Sequence, residues 1–274
     1  MRTLSDTARR MLSAPYLVWS ILFIVAPMIF VAYYAFTDKS GAFSLANIQA
    51  LPDYANVFGR SVWYSVIATL ICFIIAYPLA LCLAGMRENT QRTLIMLIML
   101  PMWMSFLIRT YAWLCLLQDN GIINGWLEKI HLSSLHMINT PGAVILGMVY
   151  NYLPYMIVPL YNVLSKVDKS LLEASHDLGA NGAQSLLRVT LPLSLPGIAS
   201  GITMVFVPSI STFYISQKMS TGNISMIGDV IEQQFQSYYN YNMGAAISLV
   251  LMIAILVSMM VMRRFTDNNG EVVV

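Results

Sequence analysis

One apolar run carries side chains that are suited to binding an organic cation. Residues 150–155 read Tyr-Asn-Tyr-Leu-Pro-Tyr. Pro154 lacks a backbone N–H, so one carbonyl of the helix has no hydrogen-bond partner. Within a membrane, such a carbonyl is tolerated only where it faces protein or a polar cavity. The Tyr152 and Tyr155 rings, the Asn151 amide and that carbonyl suit an alkylammonium group, through cation–π contacts and hydrogen bonds. A kinked packing helix, whose tyrosine hydroxyls bond to neighbouring helices, accounts for the same residues equally well.

A second apolar run, residues 100–113, contains a single charged side chain, Arg109. A charge within a membrane is costly and normally faces the interior of a helix bundle or a water-filled path. This predicts a structural or gating role, and the alternative is that the long side chain bends toward the membrane surface. Direct contact with a cationic ligand is disfavoured because the two positive charges repel each other.

The densest polar pattern lies in residues 166–196. Ser170 and Glu173 have the spacing of a capping box, which predicts a helix that begins at Leu171. Gly179 closes that helix at a position where a positive φ is favourable. The helix presents an apolar strip of Leu171, Leu172, Ala174, Ser175 and Leu178, and it turns Asp168, His176 and Asp177 toward water.

A second short helix follows the first almost at once. Asn181 and Gln184 again have capping-box spacing, and Pro192 is expected to end this helix. Two short helices hinged at residues 179 and 180 would form a compact unit on the surface of the protein.

The sequence lacks the motifs of the common enzyme classes. It has no G-x-x-x-x-G-K-[ST] phosphate loop, no H-E-x-x-H zinc motif and no G-x-S-x-G nucleophile elbow. Its histidines have no metal-like partners in the sequence. The cysteines lie in apolar runs and are interpreted as small buried side chains: Cys72, Cys82 and Cys115. No catalytic residue, metal ligand or bound cofactor is therefore predicted.

Composition places the chain in a membrane. Hydrophobic residues make up 58% of the 274 residues and charged residues only 10%, whereas soluble domains carry about 25% charged residues. The charges are clustered and leave apolar runs long enough to cross a bilayer. The expected fold is an all-α integral membrane protein whose single domain, residues 1–274, has six transmembrane helices. These spans are predicted at residues 15–36, 61–85, 93–117, 141–165, 196–216 and 243–262.

Lysine and arginine residues set the orientation of these spans. If the N-terminus is cytoplasmic, ten of these residues lie inside and four lie in outer loops, with Arg109 in a span. This positive-inside bias predicts that both termini are cytoplasmic, as is the polar pattern of residues 166–196. The last outer loop carries the aromatic residues Phe235, Tyr238, Tyr239 and Tyr241. An interfacial aromatic belt is the favoured interpretation of that run over ligand contact.

The polar pattern resembles a known motif. Glu173-Ala174-Ser175, then Gly179 after three residues and Val189-Thr190-Leu191-Pro192 after nine more, are similar to the EAA motif of ABC importer permeases. That motif reads E-A-A-x3-G-x9-I-x-L-P, and this chain differs at Ser175 and Val189. The predicted position between the fourth and fifth spans, on the cytoplasmic side, agrees with the motif.

Further segments resemble the spermidine/putrescine permease branch of that superfamily. They are residues 107–113, 120–124, 153–156, 159–161, 213–216 and 227–231, and the likeness covers most of the chain from Ser61 onward.

The resemblance implies a type I (MetI-like) importer permease bundle in the bacterial cytoplasmic membrane. It implies four kinds of partner: a second permease chain, two ATP-binding subunits, an extracytoplasmic substrate-binding protein and the lipid bilayer, with no nucleic acid. ATP and Mg²⁺ would bind to the partner ATPases, which would dock on coupling helices in residues 166–192. The coupling residues would be Leu171, Leu172, Glu173, Ala174, Ser175, Asp177, Leu178 and Gly179. The substrate-path candidates are Trp103, Arg109, Tyr111, Asn151, Tyr152, Tyr155, Tyr214 and Asp229.

Other functions remain open at this point. The same type of importer could carry another small solute, such as an anion, a metal chelate or a phosphonate, because Asp229 favours a cation and Arg109 opposes one. An intramembrane enzyme would need paired Asp, Ser/Lys or His/Glu residues within spans, and the sequence lacks them. A self-contained channel or carrier would have no need of a cytoplasmic docking motif.

Overall fold

The protein is predominantly helical in the part that the structure describes. The computed structural model describes residues 15–220, 222 and 224–270, without the side chains of residues 169 and 265–270. Within these residues the only extended pairing is an isolated bridge between Thr37 and Phe43. The main helices are α1 (Pro15–Ala35), α2 (Ala55–Ala84), α3 (Glu88–Met99), α4 (Phe106–Leu117), α5 (Ile122–Lys129), α6 (Pro141–Leu164), α7 (Lys169–Asp177), α8 (Gly182–Ser211), α9 (Tyr214–Ser220), α10 (Ile227–Gln236) and α11 (Tyr241–Gly270).

Five of the described helices are long and apolar enough to cross a membrane: α1, α2, α6, α8 and α11. The sixth predicted span, residues 93–117, is not one straight helix. Two helical segments, Glu88–Trp103 and Phe106–Lys129, meet at an angle of 87°. Pro101 lies in a 3₁₀ turn, Leu100–Trp103, and Met104 is extended, because a proline without an N–H favours a break in the helical ladder. If the bent pair counts as one span, the total is six.

Helix α8 corrects the prediction that Pro192 ends a short helix. The helix continues from Gly182 to Ser211 through a π-helical segment, Leu186–Thr190. The Leu191 N–H bonds to the Leu186 carbonyl, five residues back, and this wider turn accommodates the missing N–H and the ring of Pro192. At its other end α8 stops at Ser211, before the predicted residue 216, and Thr212 is extended.

The chain divides into two compact units, which are described separately. Unit one comprises residues 15–55 and Val230–Ile253, and unit two comprises Asn56–Asp229 and residues 254–270. The single domain predicted for residues 1–274 stays a prediction. The two termini, which are predicted to be cytoplasmic, lie outside the described residues.

The core of unit two forms where α6 packs against α8. Gly197 and Gly201, four residues apart, bring the two helices together. A Cβ atom at Gly197 would lie 3.0 Å from the Val163 side chain, and one at Gly201 would lie 2.6 Å from the Met156 sulfur. Small residues at this spacing are typical of close contacts between membrane helices. The expected burial of cysteine holds for Cys72, whereas Cys82 and Cys115 are exposed.

Unit one joins the end of α1 to the start of α11. The Asn242 amide donates to the Thr37 carbonyl at 2.7 Å and to the Tyr34 carbonyl at 3.2 Å. Asn242 is buried, so this side chain satisfies carbonyls at the end of a helix that would otherwise lack partners.

Candidate functional site: an inner hairpin and a buried polar cluster

The residues that carry the EAA-like pattern form a helical hairpin, here called the inner hairpin (residues 166–192). Its first helix, α7, begins at Lys169 and not at Leu171. Asp168 is the N-cap, because its carboxylate accepts a hydrogen bond of 2.9 Å from the Ser170 N–H. The predicted capping box of Ser170 and Glu173 is therefore wrong. The backbone N–H of Ser170 holds the pKa of the exposed Asp168 carboxyl below its ordinary value.

The turn of the inner hairpin agrees with its prediction. Gly179 has a φ of +83°, which glycine adopts without the steric cost of a side chain. The N–H of Gly179 bonds to the His176 carbonyl and that of Ala180 to the Ser175 carbonyl. This pair of bonds is a Schellman motif, which satisfies carbonyls at the end of a helix. The turn is consequently held by the backbone itself.

Helix α8 begins with the capping box that the sequence predicts. The Asn181 side chain accepts from the Gln184 N–H at 2.9 Å, and the Gln184 side chain accepts from the Asn181 N–H at 3.0 Å. Both bonds join residues three apart, so this end of the hairpin is also determined locally.

A pair of buried serine hydroxyls ties the two helices of the hairpin together. Ser175 Oγ lies 2.7 Å from Ser185 Oγ, and Ser175 Oγ also donates to the Leu172 carbonyl at 2.7 Å. Because Ser175 has only one hydroxyl proton, Ser185 is the donor in the serine pair. Ser175 stands where the EAA motif has its second alanine, so this chain adds a hydrogen bond at that position.

The outer surface of the inner hairpin exposes leucines beside acidic side chains. Leu178 is 89% exposed and Leu171 is 46% exposed. Glu173 lies between them in sequence and is also exposed. Exposed leucines beside a charged group are what a docking surface for another protein presents.

Hydrogen bonds anchor the base of the inner hairpin to neighbouring helices. Tyr161, near the end of α6, donates to the Gln91 side chain of α3 at 2.8 Å. Gln91 in turn donates to the Met86 carbonyl at 2.8 Å. On the α8 side, Tyr77 of α2 lies 3.1 Å from the Ser194 hydroxyl. Both helices that leave the hairpin are thus tied to another helix within two turns.

A second group of polar residues lies inside unit two, here called the buried polar cluster: Arg109, Thr110, Asn151, Tyr152 and Thr212. Arg109 is only 7% exposed, and its Nε and Nη1 atoms have no hydrogen-bond acceptor among the described residues. The Asn151 Oδ1 atom likewise lacks a described donor. Buried polar atoms without partners are rare, and they cluster at sites that bind, gate or move.

Three helices contribute to the buried polar cluster. The Asn151 amide, from α6, donates to the Gly147 carbonyl at 2.9 Å and to the Thr110 hydroxyl of α4 at 3.5 Å. The Tyr152 hydroxyl donates to the Pro208 carbonyl, near the end of α8, at 3.4 Å. The Tyr155 ring lies 6.4 Å from the Tyr152 ring, measured between centroids. Arg109, Asn151, Tyr152 and Tyr155 are the predicted substrate-path residues that this arrangement brings together.

The remaining substrate-path candidates lie elsewhere. Trp103 and Tyr111 are largely exposed and do not belong to the buried polar cluster. Tyr214 packs against Phe106, and the Lys218 ammonium lies 5.7 Å from its ring centroid. Asp229 is buried, and its carboxylate accepts from the Met226 N–H at 2.7 Å, which caps the start of α10. Among the described residues, no group of three or more His, Cys, Asp or Glu side chains is placed to hold a metal ion.

Comparison with known proteins decides the family. The model of the family described as "Binding-protein-dependent transport system inner membrane component" matches residues 89–269. This chain belongs to that family. It is a membrane-spanning permease subunit of an ABC importer, a multi-pass protein of the inner membrane, and ATP hydrolysis belongs to a separate subunit.

Two curated relatives and one solved structure illustrate the similarity. The spermidine/putrescine transport system permease protein PotB of Haemophilus influenzae is 34% identical over 261 residues, which cover 92% of this chain and 91% of the relative. PotB of Salmonella typhimurium is 37% identical over 246 residues, or 86% and 85% of the two chains. A chain of the bacterial alginate ABC transporter, solved with an alginate pentasaccharide-bound periplasmic protein, has a TM-score of 0.80 at 18% identity and covers 97% and 99%. That last likeness shows the fold.

Sequence reasoning missed two parts of these sites. Ser185 has no sequence signal of its own, because its role depends on Ser175 across the turn. Gly197 and Gly201 do carry a signal, the small-x-x-x-small spacing within an apolar segment, which predicts a helix contact.

Proposed function

We propose that this permease imports polyamines such as spermidine and putrescine. The observation that carries the proposal is its similarity to two spermidine/putrescine permeases, which are 34% and 37% identical over most of both chains. The Tyr152 and Tyr155 rings and the Asn151 amide agree with it, because aromatic faces and amide oxygens bind alkylammonium groups.

The transporter that we infer has this chain beside a second permease, in a heterodimer, with two ATP-binding subunits and an extracytoplasmic binding protein. ATP and Mg²⁺ would bind to the ATPase subunits. The inner hairpin suits the docking role, because Leu171 and Leu178 offer apolar area while Glu173 offers a carboxylate. The coupling role of Leu172, Ala174, Ser175, Asp177 and Gly179 is part of the same proposal.

Helix α8 offers a direct mechanical route between the two sites. It begins in the inner hairpin at Gly182 and ends at Ser211, next to Thr212 of the buried polar cluster. At 1.5 Å per residue, its 30 residues span about 45 Å. When an ATPase subunit moves the hairpin, the far end of the same helix would move with it. This would shift the Pro208 carbonyl relative to the Tyr152 hydroxyl and so open or close the substrate path.

Uptake measurements test the proposed cargo. Cells without polyamine importers of their own would receive the complete transporter, and the uptake of radiolabelled spermidine and putrescine would be measured. We expect ATP-dependent uptake that disappears when the partner ATPase is inactivated, which is the matched control. Uptake no faster than in cells with the inactive ATPase would refute the cargo.

Arg109 favours a second candidate cargo, a small anion. A buried guanidinium without a described acceptor would attract a sulfate or a phosphonate and repel a polyamine. The same cells would then accumulate labelled sulfate or phosphonate instead of spermidine, and the Arg109→Gln variant would lose that accumulation.

A further inference from the structure

Unit one contains a cleft of about 400 Å³ whose walls combine aromatic rings with a carboxylate. Tyr33 and Tyr34 come from the end of α1, Tyr239 comes from the loop before α11, and Tyr241 is the first residue of α11. Asp38 lies on the turn that follows α1 and also lines the cleft. The two tyrosine pairs are distant from each other in sequence, so only the fold brings them to one place.

The backbone around the cleft is well fixed. Asn242 bonds to the Thr37 and Tyr34 carbonyls, and the Thr37 hydroxyl donates to the Tyr33 carbonyl at 2.9 Å. These bonds fix the backbone that carries Tyr33 and Tyr34 against the backbone that carries Tyr241. A preorganised site binds more tightly than a mobile one because less ordering is needed on binding.

Asp38 supplies a negative charge that persists at neutral pH. Its Oδ1 atom accepts hydrogen bonds from the Ser40 hydroxyl at 2.6 Å, the Ser40 N–H at 2.8 Å and the Ala42 N–H at 3.1 Å. The Ser40 side chain in particular lowers the pKa of the Asp38 carboxyl below its ordinary value. Its Oδ2 atom takes part in none of these bonds and remains available to an ammonium donor.

We propose that this cleft binds the primary ammonium group of an alkylamine, between the tyrosine rings and the Asp38 carboxylate. Aromatic faces attract a cation through their quadrupoles, and a carboxylate adds a charge-assisted hydrogen bond. A belt of interfacial tyrosines would need neither the cleft nor the carboxylate.

Lys39 also lines the cleft and opposes a bound cation. It lines a neighbouring cleft as well, together with Tyr54, Gln233 and Tyr238. Because its stem is long and flexible, its ammonium acts as a tethered competitor for the same rings. Removing the charge of Asp38 should therefore weaken binding of the ammonium group, whereas removing the charge of Lys39 should strengthen it.

Two sources could provide the ammonium group. One is a free polyamine, which would make the cleft an outer binding point for the cargo and rests on the proposed function. The other is the ethanolamine headgroup of a phospholipid, since the cleft lies at the predicted outer end of two spans.

The test uses the complete purified transporter in nanodiscs of phosphatidylcholine and phosphatidylglycerol, without ATP or binding protein. Binding of radiolabelled putrescine would be measured in a Tyr152→Ala background, which removes the buried polar cluster as a competing site. We expect Tyr239→Leu and Asp38→Asn each to weaken binding by about threefold to tenfold, and Lys39→Gln to strengthen it. Tyr238→Leu is the matched control, because Tyr238 is 66% exposed against 68% for Tyr239 and does not line the cleft.

The lipid source is tested in parallel. Native mass spectrometry would count phosphatidylethanolamine and phosphatidylglycerol molecules retained by the transporter from a mixed bilayer. Selective loss of phosphatidylethanolamine in the Tyr239→Leu and Asp38→Asn variants would identify the headgroup as the ligand. If neither putrescine nor phosphatidylethanolamine binding changes in these variants, the inference is overturned. Spermidine uptake is a separate measurement. If the cleft variants bind ligand as the parent protein does, the proposed cargo is unaffected. If uptake is absent, the proposal that the cleft binds the phosphatidylethanolamine headgroup is unaffected.

Discussion

The inner hairpin and the buried polar cluster are built in opposite ways. Most hydrogen bonds of the hairpin join residues two to five apart, as at Asp168, Gly179 and Asn181. The cluster joins α4, α6 and α8, and its Asn151–Thr110 bond spans 41 residues. The hairpin satisfies its own backbone at both helix ends, whereas Arg109 and Asn151 keep buried atoms without described partners.

This difference suits the two proposed roles. A docking surface has to keep one shape when a partner moves it, and local hydrogen bonds provide that rigidity. A substrate path has to change, and polar atoms that are unsatisfied in one arrangement find partners in another. The comparison leads to four predictions, given from the largest expected effect to the smallest.

Reversing the charge of the hairpin should have the largest effect. The Glu173→Arg variant should lose at least about 90% of uptake, since placing the wrong charge in an interface costs roughly 2–5 kcal/mol. Membrane insertion should be unchanged because Glu173 is exposed. Co-purification of the ATPase checks this, with Glu88→Arg, another exposed acid, as the control. An unchanged ATPase yield would contradict the docking role.

Within the buried polar cluster, Arg109 is expected to lower the stability of the folded protein while it supports transport. Arg109→Met should raise the melting temperature while uptake falls about tenfold or more. The reason is that a buried polar group without a partner costs roughly 1–3 kcal/mol, and more when it is charged. Thermal unfolding of the purified transporter and uptake in cells measure the two effects, with the exposed Arg92→Met as control. A lower melting temperature would mean that the guanidinium is paired within the folded state.

The serine pair tests how rigid the hairpin must be. Ser175→Ala and Ser185→Ala should each destabilise the hairpin by about 1 kcal/mol, because each leaves a buried hydroxyl without its partner. The double variant should cost less than the sum of the two, which a double-mutant cycle measures. The ratio of ATP hydrolysed to substrate transported should rank the variants in the same order as their loss of stability. Strict additivity would show that the two hydroxyls do not act together.

The cap of α7 should give the smallest effect, and one that depends on pH. Because the folded pKa of Asp168 lies below its ordinary value of 3.8, the cap contributes fully above that value. The contribution disappears as the pH falls through the lower folded pKa. Protection against hydrogen exchange at the start of α7, relative to the intrinsic rate at each pH, should therefore fall in acid. Asp168→Asn keeps a capping side chain that does not titrate, so it should lack this acid-dependent loss of protection. An identical profile in both proteins would contradict the assignment.

Part of the local structure of the hairpin was predictable from sequence. Gly179 and the Asn181–Gln184 box depend on residues within a few positions, and both predictions are confirmed. The Ser170–Glu173 box was wrong because Asp168 lies two residues earlier and its carboxylate is an equally good cap. A pattern with two candidate caps leaves the choice to small differences in packing.

Prolines show where sequence reasoning was weaker. Pro101 bends the third predicted span by 87°, whereas Pro192 lies in a helix that continues past it. The same residue type removes one N–H in both cases. The neighbouring turn decides the outcome, since a π turn precedes Pro192 and a 3₁₀ turn contains Pro101.

The sequence by itself determined the membrane class, the EAA-like hairpin and the polar residues that enter the bilayer. Apolar run length, charge placement and local capping are properties of contiguous residues, so no fold is needed to recognise them. Only the tertiary structure decided that Asn151 meets Thr110, that Tyr152 meets Pro208, and that Tyr33 and Tyr34 share a cleft with Tyr239 and Tyr241. Those contacts depend on how separate helices pack, and packing is set by side-chain shapes that lie far apart along the chain.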